Sequence, residues 1–146
     1  MQALLMQALF MRAYQEMADD MRQYQITRNG KNTPLAMTIL AWDKEIILAS
    51  SQKGPNSFSY GFADTEVRLA LQRCHDSHRE GPSGADARHK MQGKCGEEMA
   101  SHLYYLFNKG RPLGTRGAVV GTMVADNTND PPEATDPCGV DGEVGS

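Results

Sequence analysis

Residues 35–50 read LAMTILAWDKEIILAS, and this stretch decides the fold class. Leu35 to Trp42 and Glu45 to Ser50 are two apolar runs separated only by Asp43 and Lys44. A two-residue connection between such runs is typical of a tight β-hairpin. The chain therefore contains at least one antiparallel strand pair, which the segments on either side must cover.

The segment before the hairpin is predicted to be a methionine-rich amphipathic helix over roughly residues 2–25. Apolar side chains recur there at intervals of three or four, which is the period of one helix face. They are Met6, Phe10, Ala13, Tyr14, Met17 and Met21. We expect this face to pack on the sheet, and the alternative is a surface that binds a partner.

The segments after the hairpin alternate between helical and extended patterns. Residues 64–73 predict a short helix capped by Asp64 or Thr65, and residues 95–109 predict a second helix. Residues 75–94 read as a long connection of the kind that often forms a binding loop. Gly117 to Ala125 is an apolar run typical of a strand buried on both faces, and a polar loop then leads to Pro137-Cys138-Gly139.

This order of elements predicts an α/β fold: one domain over residues 1–146, with a mixed sheet and helices packed on it. With 40% hydrophobic and 23% charged residues, the composition is that of a soluble globular protein. We predict no signal peptide and no membrane span, because Gln2 and Gln7 interrupt the apolar opening and no cationic segment precedes it. Three cysteines are too few and too scattered for a disulfide framework, so we expect a reducing, cytoplasmic compartment.

The net charge of −3 excludes a global basic field for binding nucleic acid. A local patch remains, because Arg88, His89, Lys90 and Lys94 stand together just before the second predicted helix. This cluster has two interpretations: it steers a phosphate or nucleic-acid backbone, or it is a solvated loop.

Chemistry is concentrated at the start of that second helix, where the chain reads KCGEEM over residues 94–99. A helix N-terminus favours a thiolate, which suits Cys95 either as a nucleophile or as a metal ligand. The ordinary interpretation is a buried thiol followed by two solvated first-turn acids, Glu97 and Glu98. Pro137-Cys138 supplies a second thiolate at another predicted helix start.

Cys95-Gly96-Glu97 at a helix start, then a strand, then Pro137-Cys138, resembles the zinc-dependent cytidine deaminase superfamily. The first helix and the hairpin also stand where that fold has its first helix and first two strands. Within the superfamily the chain looks most like the YwqJ-like deaminases of bacterial toxins and fungal proteins, which also admits a secreted, toxin-like context.

The resemblance implies that Cys95 and Cys138 bind Zn²⁺ and that Glu97 transfers protons. The implied reaction is hydrolytic deamination: water activated by zinc attacks a cytosine-type ring, and ammonia leaves. The substrate would be a nucleobase, a nucleoside or a nucleic acid. Ser50 and Ser51, after the second strand, are candidate substrate-binding residues, and so are His89 and Lys94 of the basic cluster.

The chain departs from the family pattern at position 141, where the second cysteine of Pro-Cys-x-x-Cys is replaced by Asp141. Asp141 is the first candidate for the third ligand; the others are His89, Cys74 and a residue beyond Ser146. Two other classes of function stay open. One is a catalytically silent domain of this fold that binds a protein or nucleic-acid partner, and the other is a cysteine-nucleophile enzyme using Cys95 and His89.

Overall fold

The computed structural model describes residues 2–24, 33–54, 65–79, 93–125 and 131–135. In chain order the elements are α1 (Gln2–Gln23), β1 (Ala36–Trp42), β2 (Glu45–Ser50), α2 (Glu66–Arg79), α3 (Gly96–Phe107), a short 3-10 turn (Leu113–Thr115), β3 (Val119–Val124) and β4 (Glu133–Thr135). One helix, a strand pair, two helices and two further strands follow one another along the chain, and the predicted α/β class is confirmed at that level.

The four strands form one sheet in the order β2-β1-β3-β4. β1 lies inside the sheet, and its Leu40 pairs with Ile47 of β2 on one side and Val120 of β3 on the other. The predicted hairpin is confirmed, and Asp43 occupies its turn with a φ of +47°. Aspartate tolerates this left-handed conformation, so the tight turn forms without glycine.

The predicted mixed sheet is wrong for the described strands, because every pairing among them is antiparallel. After α3 the chain returns to the free edge of β1 and runs opposite to it. β2 and β3 consequently point the same way, but β1 stands between them. β4 adds an antiparallel edge strand at residues 133–135, where the polar sequence predicts a loop.

The two faces of the sheet are covered by different helices. On one face, Phe10 and Tyr14 of α1 pack with Met37, Ile39 and Met123. The apolar face of α1 is therefore part of the core, as expected. Burial there also raises the pKa of the Tyr14 phenol, since the phenolate would lose its hydration.

On the opposite face, α3 packs on the central strands. Ala100 and Tyr104 of this helix form a cluster with Leu40, Trp42 and Ala49. Tyr104 has no solvent exposure, and its ring meets Trp42 edge-on with centroids 4.9 Å apart. α3 is thus the helix most firmly held against the sheet, and this packing also fixes the position of the residues at its start.

Two further expectations are corrected. β3 is not buried on both faces: Val119 is 65% exposed, because α1 covers only the half of that face around Met37 and Ile39. α2 runs on to Arg79, six residues beyond its predicted end, so residues 75–79 are helical rather than part of a loop. Thr65 is its cap, accepting a hydrogen bond from the Arg68 N–H at 3.1 Å.

In the described ranges, no helix combines the length and the apolar content that crossing a bilayer requires.

Candidate functional site

The candidate site is built on the first turn of α3. Cys95 is the N-cap residue, with an extended backbone (φ −65°, ψ 153°), and it is only 7% exposed. Its thiol makes no capping hydrogen bond to the first N–H groups of the helix. Glu97 and Glu98 follow in the first turn and are half-buried. The helix start is therefore an enclosed place that holds one thiol and two carboxyl groups.

Gly96 allows this helix start to approach the sheet closely. A Cβ atom at this position would lie 2.5 Å from Thr38 Oγ1 and 3.1 Å from the Ala49 carbonyl oxygen. Thr38 is fully buried, so it has little room to move away. Glycine is thus required here by contact with β1 and β2.

We expect Gly96→Ala to destabilise the protein by about 1–3 kcal/mol, the usual cost of overpacking. Alanine has the higher helix propensity, so a gain in stability would mean that the close approach is absent. Gly114→Ala is the matched control, because nothing lies within 4 Å of its added Cβ. Chemical denaturation of both variants gives the comparison, and equal stabilities would contradict the packing described here.

A hydrogen-bond chain that starts from two buried threonines connects the sheet to half-buried Glu97. Thr122 of β3 donates through Oγ1 to Glu97 Oε1 at 2.5 Å. Thr38 and Thr122 are cross-strand partners whose hydroxyl oxygens lie 2.8 Å apart. Because the Thr122 proton points to the carboxylate, Thr38 is the donor in the second bond. Both threonines are buried, so Glu97 is oriented by groups that are themselves immobile.

We expect Thr122→Val to impair any proton transfer by Glu97 more than Thr38→Val does. Either change removes the bond between the two threonines, at a cost of about 1–3 kcal/mol if a buried partner is left unsatisfied. Only Thr122→Val also removes the donor to Glu97. The measurement is the pH–rate profile of each variant alongside its unfolding free energy. Identical profiles would show that the hydrogen bond to Glu97 has a purely structural role.

The structure brings Cys95, Glu97 and Glu98 together. One ligand atom from each of the three lies within 4.8 Å of the other two. Thiolate sulfur and carboxylate oxygen are both zinc ligands, so this donor set is compatible with that metal. Exposed acidic groups often cluster without binding an ion, but these three side chains are buried or half-buried.

Glu98 is the residue that sequence reasoning missed, since it was interpreted as a solvated acid. The signal lay in its spacing: residues three apart on a helix are neighbours, so Glu98 faces the Cys95 side of the first turn. Glu97 is only two residues from Cys95, a spacing that separates side chains within a regular helix. It still lies close to Cys95, because Cys95 is the N-cap residue and has an extended backbone.

Of the predicted substrate-binding residues, Ser50, Ser51 and Lys94 lie in the described ranges, and none of these three lines the cleft between α2 and α3. Ser50 ends β2, and the Ser51 N–H donates to the Ala36 carbonyl oxygen. Lys94 directs its ammonium group to the Gly54 carbonyl oxygen at 2.7 Å, and its own carbonyl accepts from the Gln52 N–H. In this structure Lys94 therefore joins the loop after β2 to the start of α3.

Three predicted site residues, Cys138, Asp141 and His89, lie outside the described residues. Their roles as ligands or substrate contacts stay predictions. Cys74 lies within α2.

His102 lies on α3, two turns after Cys95, and is 9% exposed. Burial lowers its pKa, because the imidazolium would lose its hydration. A buried histidine in the interior of a helix is typical of a structural residue.

Because the pKa of His102 is lowered in the folded chain, we expect the free energy of unfolding to decrease in mild acid. The unfolded chain takes up a proton at a pKa of about 6.5, whereas the folded chain takes it up only at lower pH. The contribution of His102 to the free energy of unfolding is therefore complete above about pH 6.5. It declines as the pH falls from there towards the pKa of the folded state. We expect the melting temperature to drop between about pH 7.5 and about pH 5.5, and to drop less in His102→Gln. Parallel curves for the two proteins would refute this assignment.

A cleft of about 300 Å³ opens beside the site, between α2 and α3. Glu97 and Glu98 form part of its wall, so the acidic end of the candidate site is accessible from solvent through the cleft. The arrangement offers an enclosed thiol, an oriented carboxylate and space for a small molecule.

Compared with protein-family models, curated proteins and solved structures, this chain shows no match.

Proposed function

We propose that this protein is a zinc-dependent hydrolytic deaminase acting on a cytosine-type base. The observation that carries the proposal is the first turn of α3, where buried Cys95 and oriented Glu97 stand together beside an open cleft. The order of elements also supports it: a first helix and a hairpin stand at the start, α2 follows, and the helix bearing Cys95 and Glu97 precedes a strand paired with β1.

Zinc would be held by Cys95 and by Cys138, with an oxygen donor completing the protein ligands. Asp141 was the sequence-based candidate for that donor, and the position of Glu98 adds a second candidate. A bound zinc ion would supply a Lewis acid that makes water nucleophilic at neutral pH.

Glu97 is the proton carrier in this proposal. Thr122 donates to its Oε1, which leaves the second carboxylate oxygen to exchange protons with a ligand in the cleft. Glu97 would take a proton from the attacking water, deliver it to the ring nitrogen, and then assist protonation of the exocyclic amine. The carbon–nitrogen bond to that amine breaks, and ammonia leaves. Water is the only co-reactant that this reaction requires.

Zinc titration of metal-free protein tests the proposal. We expect about one zinc ion per chain, as in catalytic zinc sites. Ammonia release from cytosine, cytidine or single-stranded oligocytidine should appear only after loading. Failure to bind zinc would rule out the hydrolytic mechanism. Zinc binding without ammonia release from any of these compounds would favour a silent domain of the same fold.

A further inference from the structure

The floor of the cleft beside Glu97 is apolar and presents one fixed aromatic ring. Val67 and Leu71 of α2 and Leu113 of the 3-10 turn line it together with Tyr105 of α3. The Leu113 N–H donates to the Tyr105 hydroxyl at 3.1 Å, and the ring meets Tyr104 edge-on with centroids 5.1 Å apart. Because Tyr105 is held at its hydroxyl and along its edge, it offers a rigid surface on which a planar ring can stack.

The wall of the cleft is acidic. Glu66 from α2 and Glu97 and Glu98 from α3 line it, and no lysine, arginine or histidine of the described ranges does so. Lys94 is the cation nearest in sequence to Glu97, and its ammonium group is directed to the Gly54 carbonyl oxygen, while Arg68 and Arg73 of α2 are not among the lining residues. Among the described residues, the Cys95 thiolate and the carboxylates of Glu66 and Glu97 would outweigh a divalent cation on Cys95, even with Glu98 left out of the balance. An anion entering this space would therefore meet net repulsion, whereas an uncharged or cationic molecule would not.

The size of the cleft limits what it can hold. About 300 Å³ is at the low end of the range for small-molecule sites, roughly 300–1,000 Å³. It suits a single nitrogenous ring with at most one sugar.

We infer that this cleft selects an uncharged or cationic nitrogenous ring, as in a free base or a nucleoside, and discriminates against ligands that carry phosphate. The inference rests on the proposed function, in which the cleft is the entrance for the substrate. It reverses the role suggested by the basic residues 88–94, which would favour a phosphate-bearing substrate.

Binding and turnover measured on zinc-loaded protein test the inference. Cytidine and cytidine 5′-monophosphate are the paired probes, with inorganic phosphate and single-stranded oligocytidine as further arms. We expect cytidine to bind at least about tenfold more tightly than its monophosphate. Cytidine should also perturb the Tyr105 ring resonances in NMR spectra. Glu66→Lys should shift the ratio of the two affinities towards the monophosphate at least about threefold. Glu16→Lys, on the exposed face of α1, should leave this ratio unchanged.

The outcomes separate this inference from the proposed function. Tighter binding of the monophosphate or of oligocytidine would overturn the inference, even if ammonia is released. Equal catalytic efficiency on both probes would do the same. The expected preference without ammonia release would support the charge selection and refute the deaminase. If no probe binds at millimolar concentration, the inference fails. A ratio unaffected by Glu66→Lys would also overturn it, since the wall would then not set the selection.

Discussion

Replacing Glu97 by glutamine is expected to lower ammonia release by about 100-fold to 10,000-fold, the contribution of a positioned general acid–base group. Glutamine has the same shape and keeps an oxygen that can accept the hydrogen bond from Thr122. It cannot, however, take up a proton and deliver it. The loss should therefore appear in kcat, with zinc content and unfolding free energy close to those of the parent protein.

The control for this substitution is Glu16→Gln on α1. Glu16 accepts a hydrogen bond from Arg12 at 2.9 Å on an exposed helix face, remote from the first turn of α3. Such a surface pair contributes little to stability, so activity and folding should both be retained. Unchanged turnover in Glu97→Gln would remove Glu97 from the reaction. If zinc is lost from Glu97→Gln instead, its carboxylate is a metal ligand rather than a proton carrier.

Replacing Cys95 by serine is expected to abolish tight zinc binding while leaving the fold intact. Serine is a favoured N-cap residue, and the Cys95 thiol makes no capping hydrogen bond in the present structure. The variant should consequently stay within about 1 kcal/mol of the parent in stability, or exceed it. A thiol that only fills the core would give the opposite result, a loss of stability with no effect on metal affinity.

Competition with a chromophoric zinc chelator measures this loss. Cys74→Ser is the matched variant, because Cys74 lies on α2 and is the alternative thiol ligand. Retained zinc affinity in Cys95→Ser would refute the proposed site. Loss of affinity in both variants would instead identify Cys74 as the further ligand that the sequence analysis left open.

The hairpin was predictable because its signal is local. Two apolar runs joined only by Asp43 and Lys44 can pair their backbone N–H and C=O groups with each other across a tight turn. Both strands lie within one residue of their predicted bounds. The start of α3 was predictable for a similar reason, since its first-turn acids precede helical spacing of apolar residues. The buried face was not, because the spacing predicts Met99, Leu103, Leu106 and Phe107, whereas Ala100 and Tyr104 are buried and Leu106 and Phe107 are exposed. The C-terminal half of α2 was not, because its polar, histidine-containing sequence also suits a loop.

The positions that depend on distant contacts could not be predicted. The hydrogen bond from Thr122 to Glu97 joins residues 25 apart, and the bond between Thr38 and Thr122 joins residues 84 apart. No local pattern distinguishes these threonines from any others on a strand. The close approach at Gly96 likewise depends on Ala49 and Thr38, which reach it only through the packing of α3 on the sheet.

By itself, the sequence determined the types of most elements and the strand pair around Asp43 and Lys44, and its resemblance to a known superfamily singled out Cys95 and Glu97 as candidate chemistry. The elements and the strand pair follow from periodicity and turn chemistry, which act over a few residues, whereas the resemblance also uses Pro137 and Cys138, far along the chain. Tertiary structure alone decided the antiparallel pairing of β3 with β1, the hydrogen bond from Thr122 to Glu97, and the acidic, apolar-floored cleft. Each of these depends on side chains brought together from distant parts of the chain, where burial and hydrogen bonding set the geometry.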